Sequence, residues 1–250
     1  MKHNNELAKV QVCDLSKNFG SLKVLENLNF SIKRGEFVVV VGPTGCGKTT
    51  FLNLLTRLIQ PSSGELYIDG EPADPKQHSL SFAFQEPSAI PWLNVEDNLK
   101  FGLKIKRYPK DEIKKRVEQM LKLLGLEKFR RSYPSQMSVS SVQRVIIGRA
   151  FITYPDLLLM DEPYGQMDIK MRFYLEAEVL RIWKELGTTV VFITHNIEEA
   201  TYLAERVLIL SNKPTSIKEE VKIDLPHPRD FTDPEFVKIR EYITEQIKWW

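Results

Sequence analysis

The chain has 250 residues, and its 35 Lys and Arg stand against 33 Asp and Glu for a formal charge of +2. A chain of this length buries one sizeable core, or a core with a subdomain. Its mixed charge lacks the concentrated basic face of a nucleic-acid binder, so no nucleic-acid partner is expected. Two cysteines, Cys13 and Cys46, suggest no disulfide framework. The N-terminus MKHNNELAKV shows no apolar signal core, and no apolar run approaches the ~18 residues of a membrane span. The expectation is a soluble cytoplasmic α/β protein.

Residues 8 to 32 alternate apolar and polar positions about a turn at Gly20, which suits an antiparallel edge sheet. FVVVV then leads through a glycine-rich turn into FLNLLTRLI, a strand, loop and helix. Pro61 to Gly64 ends that helix, and ELYIDG reads as a further short strand. From about residue 87 to 150 the pattern is helical, with charged faces as in DEIKKRVEQMLKLLGLEKF. Strand and helix alternate again at LLLMDEP and TTVVFITHNIEEA. A helical subdomain (87–150) is therefore expected as an insertion in a parallel-sheet core (1–86 and 151–213). Prolines at 214, 226, 228 and 234 mark a loose extension, closed by the amphipathic helix PEFVKIREYITEQIKWW within residues 214–250.

Two stretches carry chemistry. Gly42-Pro43-Thr44-Gly45-Cys46-Gly47-Lys48-Thr49 fits the phosphate-loop pattern G-x-x-x-x-G-K-[ST] between a strand and a helix. Its glycines let backbone N–H groups turn inward around an anion, and the helix dipole adds to them at Thr49 and Thr50. Lys48 reaches the outer phosphates and Thr49 is a ligand for Mg²⁺, whereas Cys46 reads as a small filler. Downstream, Leu157–Pro163 is an apolar strand ending in Asp161 and Glu162. Asp161 is placed to hold Mg²⁺ and Glu162 to polarise a water attacking the γ-phosphate. An acidic pair at a strand end is commonly a solvated turn; coupled to the phosphate loop it gains meaning.

The order of phosphate loop, Gln85 after SFAFQEP, helical insertion, MDEP and ITHN resembles the ATPase subunit of ABC transporters over nearly the whole chain. The tail DLPHPRDFTDPEF is similar to that of importer ATPases of the nitrate/sulfonate/taurine group. The resemblance implies a P-loop NTPase fold that binds and hydrolyses ATP with Mg²⁺ as a dimer. It works on transmembrane permease subunits, served by a solute-binding protein, at the inner face of the cell membrane. It places Phe19 on the adenine, Gln85 at Mg²⁺ and the attacking water, His195 at the γ-phosphate, and Asp168 in a loop that crosses between subunits. Trp92 and LNVEDNLKFG read either as a permease dock or as plain subdomain core. Trp249 and Trp250 grip a partner or the bilayer, or pack on the domain.

Residues 136 to 144, QMSVSSVQR, fall where that family normally reads L-S-G-G, then Gln or Met, a variable residue and Q-R. Ser138 keeps a hydroxyl at a helix start, but Val139 and Ser140 replace both glycines. A heterodimer whose other ATPase subunit has the intact signature is preferred over a homodimer with slow turnover. An ABC-type ATPase uncoupled from transport, or a subunit that binds ATP mainly structurally, are the alternatives.

Overall fold

Two sheets divide the strands according to how their sequences alternate. The computed structural model describes residues 8–84, 88–164, 167 and 169–247. Strands β1 (Ala8–Phe19) and β2 (Leu22–Lys33) pair antiparallel, with Val12 opposite Phe30 and Phe19 opposite Leu22 at the turn. With β4 (Ser63–Ile68) and β5 (Glu71–Pro72) they form a four-stranded sheet in the order β2-β1-β4-β5.

The second sheet has six strands in the order β10-β9-β3-β8-β7-β6. Every residue of β3 (Phe37–Val41), β7 (Leu157–Asp161) and β8 (Thr189–Ile193) is buried. Such unbroken apolar runs require cover on both faces, which is why these strands run parallel at the centre. Strands β6 (Leu80–Ala83) and β9 (Arg206–Leu210) continue the parallel order on either side. One apolar layer, with Phe51, Leu52 and Leu55 of α1 (Lys48–Leu55), lies between the two sheets. The opposite face is covered by α5 (Ile169–Leu186) and α6 (Ile197–Leu203) through Leu175, Val179 and Leu203.

Between β6 and β7 the chain forms α2 (Val95–Ile105), α3 (Lys110–Leu123) and α4 (Val139–Phe151). Asn94 caps α2, accepting from the Asp97 N–H at 2.8 Å. The helices meet at Gly148, where an added Cβ would stand 2.7 Å from Leu124 Cδ1 and 2.9 Å from Leu99 Cδ2. Only a glycine lets α4 approach so closely. The fold is thus α/β: a P-loop NTPase core, an antiparallel sheet at its N-terminal side and a helical insertion.

The proline-bearing stretch after residue 213 is more ordered than its composition suggests. β10 (Ile217–Lys222) pairs antiparallel with β9 and becomes the edge of the central sheet. Helix α7 (Pro234–Ile247) then buries Phe236 and Ile243 in the core, each contributing about 1.5–3 kcal/mol. Between them Arg229, 6% exposed, donates to the carbonyls of Thr201, Tyr202 and Ala204 at the end of α6, and to those of Ile223 and Leu225. Prolines there end one element and start another rather than marking a loose tail. Trp249 and Trp250 lie outside the described residues. Among the described residues no helix is long and apolar enough to cross a membrane.

Candidate active site

The chain leaves β3 at Val41 and enters α1 at Lys48 through a loop that closes on its own carbonyls. Cys46 N–H donates to the Pro43 carbonyl at 3.2 Å, and Lys48 Nζ donates to the carbonyls of Gly42 at 2.9 Å and Pro43 at 3.0 Å. Gly47 has φ of +111° and supplies no side-chain cap to α1. A Cβ there would meet Val24 Cγ1 at 2.8 Å. Among the described residues no acceptor answers the N–H groups of Thr49 and Thr50, while that of Lys48 points at the Cys46 sulfur. The first turn of α1 therefore offers a row of donors to an anion. Cys46 is 2% exposed among the apolar side chains between the sheets, and its sulfur also takes backbone hydrogen bonds within the loop.

Strand β7 delivers Asp161 to the same place. Thr49 Oγ1 donates to Asp161 Oδ2 at 2.9 Å. Burial pushes the Asp161 carboxyl up, while the Thr49 hydrogen bond pulls it down. The next residue, Glu162, has φ of +44°, a left-handed conformation unusual for a side chain of its size. Its N–H donates to the Ile193 carbonyl at 2.9 Å, and its Oε2 lies 2.9 Å from His195 Nδ1. This turn aims the carboxylate back over the strand ends.

His195 is held from behind. Glu199 Oε2 accepts from the Thr194 hydroxyl at 2.6 Å, the Thr194 oxygen accepts from Asn196 N–H at 2.9 Å, and Asn196 caps α6. Arg172 Nε stands 3.3 Å from Glu199 Oε1. Beside this pair Glu176 and Tyr164 are buried at 1% exposure, with no hydrogen-bond partner for their side-chain oxygens among the described residues. Burial, and then the Glu199 charge, push the Glu176 carboxyl up to about 8.

A cavity of about 620 Å³ joins these groups. Phe19, Leu22 and Val24 give it apolar lining, and Thr44, Gly45, Lys48, Thr49, Glu162 and His195 give it polar lining. Phe19 is 48% exposed with Lys17 Nζ 5.0 Å from its ring centre, a free aromatic face of the kind that stacks on a base. Thr50 and Gly47 also line the cavity, and so does Lys213, a residue that no sequence motif marks. Lys213 follows β9 at a distance in sequence that only sheet topology reveals. Leu22 and Val24 were legible as strand residues but not as wall.

Ser138 lies apart from this cavity, at the start of α4. Its hydroxyl accepts from Ser141 N–H at 3.3 Å and meets the hydroxyls of Ser140 and Ser141, each at 3.0 Å. Val139 beside it is 66% exposed. Gln85 and Asp168 lie outside the described residues.

A hydroxyl and a buried carboxylate 2.9 Å apart, both at the phosphate loop, are hard oxygen donors of the kind a divalent cation takes. The site fits Mg²⁺ on that ground. The open backbone cradle and the lysine fit a polyphosphate.

Comparison with known proteins gives the family. The family described as ABC transporter matches residues 25–165. The aliphatic sulfonates import ATP-binding protein SsuB of a Bacillus cereus strain is 40% identical over 98% of this chain and 95% of its own length. An uncharacterized ABC transporter ATP-binding protein of Methanocaldococcus jannaschii, MJ0412, is 39% identical over 99% of this chain and 94% of its own. Among solved structures, cbiO1 from Clostridium perfringens, part of the ABC transporter complex cbiONQ, has a TM-score of 0.80 at 26% identity, covering 87% of this chain and 89% of that one. The dimeric post-hydrolysis structure of the ATP-binding cassette MJ0796 with ADP and Pi has a TM-score of 0.75 at 32% identity, covering 87% and 100%. The chain belongs to the ABC transporter ATP-binding family, a family of ATPases.

Proposed function

We propose that the chain is the ATP-hydrolysing subunit of an importer for a small anionic solute of the sulfonate, taurine or nitrate kind, seated on transmembrane permease subunits at the inner face of the membrane. The observation that carries the catalytic part is the meeting of Lys48, the Thr49–Asp161 pair and the Glu162–His195 pair on one cavity. The solute class rests on the full-length likeness to the sulfonate-import relative. A solute-binding protein completes the system.

In this reading Lys48 gives up its loop carbonyls and donates to the outer phosphates. Glu162 accepts a hydrogen bond from water and aims it at the γ-phosphorus, and His195 donates to a γ-phosphate oxygen. Thr49, Asp161 and Gln85 hold the magnesium ion, which supplies positive charge against the phosphate oxygens when bound. Positioning and charge stabilisation do most of the work in phosphoryl transfer to water. Phe19 stacks on the base.

The helical insertion supports the permease as partner. Trp92 is 75% exposed and Ile105 66%, on a segment that Asn98 fastens through the carbonyls of Ile90 and Leu93. Rigidly held apolar side chains in solvent suit a protein interface better than a core. The test is reconstitution. The chain, its permease and its binding protein in vesicles should take up a labelled alkanesulfonate only with ATP inside. Recovery of ribosomes or DNA, and no multi-span membrane protein, on purifying the native chain would overturn the transport reading.

The start of α4 favours a second ATPase chain that differs from this one. Ser138 has spent its donor and acceptors on Ser140 and Ser141, and Arg144 Nη2 donates to Ser141 Oγ at 3.1 Å. A turn so occupied would meet a partner subunit's phosphate poorly. A heterodimer whose other subunit carries the glycines would complete the site built on Lys48 and Glu162, with Asp168 at the seam. Two identical chains in the native complex, hydrolysing briskly, would refute this.

A further inference from the structure

We infer that Lys213 is a nucleotide-binding residue, a second ammonium that meets the phosphates lying between the base platform at Phe19 and the ammonium of Lys48. The inference rests on the cavity being the ATP site, and it adds to that site a residue from the turn after β9, the strand beside β3.

Lys213 sits in the turn between β9 and β10, and the turn is fastened to both walls of the cavity. Thr215, fully buried, donates its N–H to the Val24 carbonyl at 3.0 Å and accepts from Glu26 N–H at 2.9 Å. Its hydroxyl donates to the Cys46 carbonyl inside the phosphate loop. Val24 belongs to the apolar lining of the cavity and Cys46 to the loop. The turn is thus tied both to β2 and to the phosphate loop. The turn is also closed on itself, with Ser211 N–H donating to the Ser216 carbonyl at 3.0 Å and Ser216 N–H to Ser211 Oγ at 2.9 Å.

An anchored backbone gives Lys213 a fixed starting point, and its side chain lines the cavity. Among the described residues its ammonium has neither a hydrogen-bond partner nor an ion pair. An ordinary exposed lysine is solvated and does nothing specific. Here the nearest chemistry is the cradle itself, and the charge is close enough to Cys46 to oppose the upward push that burial gives its thiol. A strongly hydrated ammonium without a carboxylate partner, lining the same cavity as Lys48 and the phosphate loop, suits a phosphate oxygen. Among the described residues its turn is tied to Val24 and to the phosphate loop at Cys46, and not to the ends of β7 or β8 where Glu162 and His195 stand, which assigns it the phosphates that ATP and ADP share.

The test uses the full chain and equilibrium binding of MgATP and MgADP to wild type, Lys213→Ala, Lys213→Arg and Lys48→Ala. Melting without nucleotide checks that each variant is folded. Lys213→Ala should weaken ATP and ADP by the same factor, about tenfold for one charge-assisted contact. Lys213→Arg should restore most of the loss, and raised salt should narrow the gap between wild type and Lys213→Ala. Wild-type affinity for both nucleotides in Lys213→Ala overturns the inference, and so does a loss confined to ATP. Wild-type affinity in Lys48→Ala, by contrast, overturns the reading of the cavity.

Discussion

The chain enters two helices in comparable ways, α1 from the phosphate loop and α4 from residues 136–138, yet the two entrances are built on opposite plans. At α1 the cap position is Gly47, with φ of +111° and no side chain to spend on the helix. At α4 it is Ser138, in an extended conformation, whose hydroxyl already answers the helix through Ser141 N–H. Both ends carry the same partial positive charge of aligned peptide dipoles. The difference is who uses the donors. A good cap consumes what an anion would need, so local helix stability and phosphate binding compete for the same N–H groups. What marks a phosphate site is glycine and the want of a cap, more than the dipole.

The comparison breaks most visibly at Lys48. Lys48→Ala should abolish ATP-dependent stabilisation in a thermal-shift assay, a loss in affinity of roughly a hundredfold or more for a buried charge on phosphate. Glu162→Gln, made alongside it, should keep binding while hydrolysis falls by about 10²–10⁴. If both variants lose binding equally, their roles are not distinct.

Next in size is Gly47→Ala, where the strained φ and the contact with Val24 combine. An unfolding titration should show a loss of about 2–4 kcal/mol. Ser138→Gly at the other entrance should cost only a few tenths of a kcal/mol. Equal costs would mean that the two entrances are under the same constraint after all.

A smaller effect is expected from giving α4 the glycines it lacks. Val139→Gly with Ser140→Gly should raise hydrolysis by about threefold to tenfold in the native complex if a phosphate meets this turn, on the scale of one or two modest hydrogen bonds. An unchanged rate would say that the serine turn serves as well as glycine or faces nothing.

The last prediction extends the contrast to a polar group left without an answer. Glu176 is raised to about 8 from 4.5, by burial first and then by Glu199, with Arg172 opposing and Glu198 adding to the rise. Tyr164 and Tyr202 are the other titratable groups that feel this cluster. Because the folded value lies above the unfolded one, folding takes up a proton, and the associated stability is present below about pH 4.5 and lost as the pH rises to about 8. Glu176→Gln, which does not titrate, should therefore match wild type near pH 5 and exceed it by roughly 1–3 kcal/mol at pH 8.5. A constant difference between the two across that range would show that Glu176 is charged in the fold.

Much of this was legible in advance because the signals were local. FVVVV, LLLMD and TVVFI are too short for helices and too apolar for a solvated sheet, and all three are buried parallel strands. Asp161, Glu162 and His195 stand at or just past the ends of β7 and β8, and Lys48 and Thr49 open the helix that follows β3, so the strand order brings them together. Lys213 was not legible, since its link to the loop runs through Thr215, one backbone pairing to β2 and one hydroxyl bond to Cys46. Nor was the order of residues 214–235. Prolines dominate that composition, while its hold on the core runs through the pairing of β10 and the buried side chain of Arg229, which no periodicity announces.

Arg229 makes α6 a strut with two attachments. One end begins at Asn196, beside His195, and the other delivers its last carbonyls to a guanidinium from the C-terminal segment. The helix is seven residues long, two turns, too short to absorb a disturbance by bending. Ending the chain before Pro228 would therefore loosen the reacting end as well as the tail, and the expected signature is a hydrolysis rate that drops further than ATP affinity does. In engineering terms, the stretch carrying Arg229 is a tie-rod of the reaction chamber, and fusions or crops belong beyond α7, where the rod is already fixed.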